Sequence, residues 1–263
     1  MSDKAENRFD SDASRYAAYL ETPEGRLRAD LSFANLQELL PAPPVTESLQ
    51  ALDLGGGTGA ATARLARLGV RVTLLDSSAA MLELAERAIS EAGVGDKVTV
   101  SHGDADRLAE IFQPRSFDII LCHNLLEYLD GPVALLRGAA RLMRDSSAVL
   151  SLLVRNQAGE VLKASLQSGD LSAAEDTLAV EWGKESLYSG KVRLFTPGAL
   201  ETMLKDSAFT IIARRGVRIV ADYLPSQISR AAEYERIFAL ERKLGSREEF
   251  FGVARYLQYL VRP

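Results

Sequence analysis

The residues best suited to chemistry gather at the ends of short apolar runs in the first half of the chain. Asp53-Leu54-Gly55-Gly56-Gly57-Thr58-Gly59 follows a stretch that reads as a strand and precedes one that reads as a helix. Glycines there let the backbone turn tightly and approach a ligand with no side chain between, while the helix beyond offers its free amides. Asp76 and Ser77 close the next apolar run, where a carboxylate can accept from both hydroxyls of a ribose. Gly103-Asp104-Ala105-Asp106 closes the third, where an acid can accept from an adenine amino group while the following amide donates to the ring. Together these suit an adenosine ligand lying across three strand ends. Gly55, Gly57 and Ala60 also satisfy the looser glycine pattern of dinucleotide sites, so NAD competes. Asp53 favours a cationic ligand instead, since a pyrophosphate gains nothing from its charge.

The elements that must position these residues follow from the alternation of short apolar runs with longer amphipathic stretches. Strands are expected over 50–54, 71–75, 97–101, 117–122 and 148–154, with helices over 59–68, 79–92 and 132–143 between them. This is an α/β pattern with a mostly parallel sheet. Upstream, Thr22-Pro23-Glu24 reads as a helix start, and the helix over 24–40 is ended by Pro41, Pro43 and Pro44. Residues 155–193 break the pattern, carrying five bases and six acids, and read as a helical lid insertion or a solvated connector. A helix over 197–205, a strand from 209 to 213 or as far as 220, a helix over 225–244 and a strand over 255–261 complete the chain. The two late strands suggest an antiparallel hairpin on one sheet edge. The expected organisation is an N-terminal helical segment over 1–46 and a core over 47–263, with the lid at about 155–195.

Composition sets the limits. The chain has 263 residues, 47% of them hydrophobic, and a formal net charge of −5, which excludes a strongly basic nucleic-acid binder and a disordered chain. Residues 201–263 carry 11 bases and 8 acids, so the acidic excess lies upstream. No apolar run approaches a membrane span, and the polar start lacks the apolar stretch of a secretory signal, so a cytoplasmic location is expected. Cys122 is the only cysteine, and with only two histidines, His102 and His123, a Cys/His zinc site is excluded. No metal is expected.

Read together, the Asp-x-Gly-x-Gly-x-Gly loop, the ribose acid and the Gly-Asp-Ala turn resemble the Rossmann-like S-adenosylmethionine-dependent methyltransferases. The likeness narrows over Phe9-Asp10, Ser14-Arg15, Gly25-x-Leu27-Arg28, Leu52 to Gly59, Cys122-His123-x-x-Leu126-Glu127, Gly216-Val217-Arg218 and Asp222-Tyr223-Leu224. These segments resemble the bacterial tRNA 5-carboxymethoxyuridine methyltransferases, which esterify the carboxylate of a modified wobble uridine. The resemblance implies that Arg28, Gly55, Gly56, Asp76, Asp104, Ala105 and His123 surround S-adenosylmethionine. Asp53, Gly57, Gly59 and Ser77 complete the expected cofactor set, with S-adenosylhomocysteine as the product.

A carboxylate acceptor is ionised at neutral pH and needs orientation and desolvation rather than a base. His123, Arg218 and Tyr223 are the candidates for that work, and Arg155 and Asn156 fall where the acceptor mouth should be, with no role assigned. Two alternatives stay open: a small-molecule acceptor beneath the lid, and a non-catalytic S-adenosylmethionine-binding protein.

Overall fold

The computed structural model describes residues 3–42, 45–185 and 190–263. Two helices lead, α1 (Asp3–Leu20) and α2 (Pro23–Gln37). Their junction is set locally. Thr22 Oγ1 accepts from Gly25 N at 3.1 Å, an N-cap of the kind that contributes about 1 kcal/mol, and Pro23 occupies the first helical turn. Gly25 is required by close approach, because a Cβ there would lie 2.0 Å from the Tyr19 carbonyl oxygen. The helix ends at Gln37, earlier than the prolines require; Pro43 and Pro44 lie outside the described residues.

The core then alternates as its apolar pattern demands. It runs β1 (Gln50–Leu54), α3 (Ala60–Arg67), β2 (Arg71–Asp76), α4 (Ala79–Glu91), β3 (Val98–His102) and α5 (Leu108–Ile111). β4 (Ile119–His123), α6 (Pro132–Leu142) and β5 (Val149–Arg155) follow. The insertion comprises α7 (Gln157–Leu162), a π-turn over Lys163–Gln167, α8 (Leu171–Leu178), β6 (Trp182–Glu185) and β7 (Gly190–Arg193). The chain closes with α9 (Pro197–Asp206), β8 (Thr210–Val217), α10 (Tyr234–Gly245), α11 (Glu248–Phe251) and β9 (Tyr256–Arg262).

Seven strands form one sheet in the order β3-β2-β1-β4-β5-β9-β8, the first five parallel and β9 antiparallel to both neighbours. The α/β sheet and its antiparallel addition are as expected. Strands buried on both faces show continuous rather than alternating burial, as in β5. One face packs Leu52, Leu54, Ile120 and Leu152 against α6 and α9. The other packs Val72, Leu74, Ile119 and Leu121 against α3, α4 and the end of α2. The chain order reverses between β1 and β4, so a crevice opens at the carboxyl ends of those strands.

Two expectations need correction. The insertion is not purely helical: β6 and β7 pair antiparallel, with the Arg193 guanidinium 4.7 Å above the Trp182 ring and Val192 buried between exposed Lys191 and half-buried Arg193. The helix expected from 225 begins only at Tyr234, because Arg230 donates to the Ala221 and Leu224 carbonyls and holds the segment in turns.

α2 has a feature that explains the site. Arg28, Ser32 and Asn35 recur at helical spacing and are all buried, so a polar stripe runs beside the apolar Leu27, Leu31 and Leu36 on its covered face.

Candidate active site

A cavity lies at the carboxyl ends of β1, β2, β4 and β5, roofed by α1 and α2. Its lining includes Arg28, Asp53, Gly55, Gly56, Gly57, Asp76, Ser77, Ala105 and His123, which the sequence singles out, together with Phe9, Tyr16, Tyr128 and Arg155. Gly59 and Asp104 lie beside this lining rather than in it.

The loop after β1 takes left-handed conformations at Gly55 (φ 64°) and Gly57 (φ 53°), which residues bearing a Cβ rarely adopt. The turn lets Gly57 N donate to Asp76 Oδ2 at 2.8 Å, while Ser78 N donates to Oδ1 at 2.9 Å. Two strand ends are thus tied together, and the Asp76 carboxylate is fixed against the loop. Burial pushes its pKa up despite these bonds. On the roof, Asp10 accepts from Ser78 Oγ at 2.6 Å and from Ala80 N at 3.2 Å, and Phe9 meets the Tyr128 ring edge-on at 5.2 Å. α1 is therefore latched to both β2 and β4 connections.

Asp53 is 3% exposed and accepts from Thr62 Oγ1 at 2.7 Å. Burial, with the charge of Asp76 adding to it, outweighs the Thr62 bond and raises its pKa from 3.8 to about 6. The free protein therefore favours protonated Asp53 below about pH 6, whereas a cationic ligand favours the ionised form. Affinity for S-adenosylmethionine is expected to rise, by up to about tenfold per pH unit, as pH climbs to 6, and to level off above it. Calorimetric titration across that range checks this, and Asp53→Asn should flatten the slope.

The cavity's inner wall is cationic. Arg28 donates from Nη2 to the Tyr16 hydroxyl at 2.8 Å and lies 5.1 Å from the Tyr19 ring centre. Arg155, at the end of β5 and 6% exposed, faces Tyr256 across the strand pair. Its Nη1 lies 3.2 Å from Glu160, which Arg255 also pairs at 2.8 Å. Burial would raise the Tyr256 phenol, but Arg155, Arg28, Arg218 and Arg255 together pull it below the ordinary range.

Two of the three residues expected to act on an acceptor do not reach this cavity. Arg218 sits behind it at φ 61°, donating from Nε to Asp222 at 2.9 Å and from Nη1 to the Tyr19 hydroxyl at 2.9 Å. Glu241 of α10 holds the turn beneath it, accepting from the amides of Ile219, Val220 and Ala221 at 2.7 to 2.9 Å. Tyr223 turns its hydroxyl toward the Gly159 carbonyl at 3.4 Å. Arg218 is thus a clamp between β8 and the helical roof. Arg218→Ala, which leaves buried Asp222 with only the longer 3.8 Å pair to Arg255, is expected to lower stability by about 3 kcal/mol, and the Arg218→Ala/Asp222→Ala pair by less than the two losses added. Urea unfolding of the three variants measures it.

His123 does line the cavity, with Nε2 2.8 Å from Ser151 Oγ. Burial, aided by the charge of Arg28, lowers its pKa to about 3, so the ring is neutral. Arg155, buried in a strand, is the contributor that sequence reasoning located without a role. The available signal was a lone arginine ending a run of seven otherwise strand-like residues.

A glycine loop at the switch point, a half-buried acid closing the second strand and an acidic turn after the third fit a Rossmann-like S-adenosylmethionine-dependent methyltransferase. The residues lining the cavity suit the cofactor: Asp76 would hold the ribose, the Gly55–Gly57 backbone would allow close approach, and Arg28 would meet the methionine carboxylate. A methyltransferase domain model matches residues 51–146. The tRNA 5-carboxymethoxyuridine methyltransferase of Escherichia coli (strain K12) is 28% identical over 255 residues, covering 97% of this chain and 95% of that protein. A ubiquinone biosynthesis O-methyltransferase of Xanthomonas euvesicatoria pv. vesicatoria is 35% identical over 112 residues, 42% of this chain and 46% of that one. An S-adenosylmethionine-dependent methyltransferase structure from Thermotoga maritima superposes with a TM-score of 0.64 at 15% identity, covering 97% of this chain and 98% of that one. Among the described residues no helix is long and apolar enough to cross a membrane.

Proposed function

We propose that this enzyme esterifies a carboxylate, and that the carboxylate belongs to 5-carboxymethoxyuridine in tRNA. The observation that carries the carboxylate is the buried arginine wall around Tyr256, of which Arg28 and Arg155 reach the cavity. The tRNA rests on the near full-length likeness to the Escherichia coli enzyme. When bound, S-adenosylmethionine supplies a methyl group already activated by its sulfonium. The remaining work falls to the chain: Arg155 orients an acceptor carboxylate, the α1–α2 roof excludes water, and Asp76 with the glycine loop fixes the cofactor end. In this reading residues 3–37 form the cover over the cavity. The insertion stands at its mouth, where β7 packs near the Leu126–Tyr128 turn.

The acidic balance of the insertion, five bases against six acids, favours a second reading in which the acceptor is a small acid. One experiment separates them: transfer of labelled methyl from S-adenosylmethionine into tRNA lacking the modification, beside a protein-free small-molecule extract. Alkali-labile label in the tRNA is the expected result. Label confined to the small molecules would overturn the RNA assignment.

A further inference from the structure

A buried chain of hydrogen bonds runs from α2 through two strands to the cavity, and its direction can be read without seeing a proton. It starts at the Ser32 carbonyl, which can only accept. Gln258, wholly buried on β9, therefore turns its amide nitrogen to that oxygen at 2.8 Å. The same nitrogen donates its second hydrogen to Ser151 Oγ at 3.0 Å, and Asn35 Nδ2 fills the Gln258 carbonyl oxygen at 2.8 Å. Ser151 is also wholly buried, and its hydroxyl has one hydrogen to give. With a donor already at its oxygen, the remaining neighbour is His123 Nε2 at 2.8 Å. The hydroxyl donates there, so Nε2 is the acceptor nitrogen and the ring proton sits on Nδ1. With Nε2 turned into the sheet, Nδ1 is the ring nitrogen left to meet the cavity that His123 lines.

We propose that Gln258, acting through Ser151, fixes His123 as a neutral imidazole whose Nδ1–H donates to a carboxylate of the bound ligand and which takes no proton from it. Gln258 and Ser151 are positioning residues in this scheme. A neutral donor beside Arg28, another cavity-lining residue, suits a carboxylate, because the two present hydrogens without a base that would compete for the acceptor's charge. Two carboxylates qualify, that of the cofactor's methionine end and that of the methyl acceptor. The second source rests on the carboxylate reading above, whereas the tautomer does not depend on it.

The test is long-range proton–nitrogen correlation on the nitrogen-labelled protein, which holds only two histidines; His102→Gln assigns the pair. The ligand-free protein should show a pyridine-type shift at His123 Nε2 and a pyrrole-type shift at Nδ1. Ser151→Ala, and separately Gln258→Met, should move both nitrogens toward averaged values while His102 stays put. An Nε2–H pattern in the unaltered protein would overturn the proposal even if both variants fail to fold. An unchanged Nδ1–H pattern in folded variants would overturn the relay. Titration with S-adenosylhomocysteine, then with 5-carboxymethoxyuridine nucleoside, identifies the source: a downfield move of the Nδ1 proton on the first addition assigns the cofactor carboxylate, and on the second alone the acceptor. No move on either removes the carboxylate partner and leaves the esterification reading to be judged by the labelling experiment.

Discussion

Asp76→Ala should weaken binding of S-adenosylhomocysteine by about a thousandfold. In the proposed cofactor pose the carboxylate would accept two ribose hydroxyls, each such bond to a charged group being worth about 1.5 to 3 kcal/mol, and a thousandfold corresponds to about 4 kcal/mol. The loss is compounded because the same oxygens hold Gly57 N and Ser78 N, so the substitution also unties the glycine loop from the second strand. The fold should survive, since Asp76 lies at the strand end rather than among the core residues of that face. Calorimetry gives the affinity and thermal unfolding of the free protein the control. A variant that binds within tenfold of the parent would remove Asp76 from the cofactor site.

The second large effect is expected at Arg155. Arg155→Met should lower kcat/KM for the proposed carboxylate acceptor by about two to three orders of magnitude while leaving S-adenosylhomocysteine affinity within a factor of a few. The cost reflects a charge-assisted contact in a dry cavity, where the acceptor's negative charge would otherwise be buried unpaired. Glu160 keeps Arg255 at 2.8 Å when Arg155 is removed, and Glu127 keeps the Arg155 amide and the Asn124 side chain as hydrogen-bond donors. Arg155→Lys should recover little, because an ammonium cannot reproduce the planar two-pronged contact. Equal losses of cofactor and acceptor binding would place Arg155 with the cofactor instead.

Much of this was legible before any coordinates. Parallel strands buried on both faces announce themselves as apolar runs, and acids at their carboxyl ends stand out against that background. Asp53, Asp76 and the Gly103–Asp106 turn were accordingly found on strand ends. What escaped depended on partners distant in sequence. Arg218 reads as a free cation until Asp222 and the Tyr19 hydroxyl are seen to enclose it, the latter 199 positions away. Gln258 and Ser151, separated by 107 positions, meet only because β9 inserts beside β5. The polar stripe of Arg28, Ser32 and Asn35 did carry a local signal, a helical repeat of hydrogen-bonding side chains. It is easily overlooked because buried helix faces are ordinarily apolar. The paired strands of the insertion carry only a short signal, the two-residue alternation of Lys191, Val192 and Arg193, set in a segment otherwise rich in mixed charge.

The arginine wall has a consequence for the end of the catalytic cycle. If the acceptor is the proposed carboxylate, esterification abolishes its negative charge, so the group that Arg155 would hold most firmly exists only before the reaction. On that proposal the arrangement would discriminate against its own product: the neutral ester would leave a pocket that no longer attracts it, and fresh acid would displace it. A site with this polarity favours departure after a single methylation, with no separate device needed to expel what it has made.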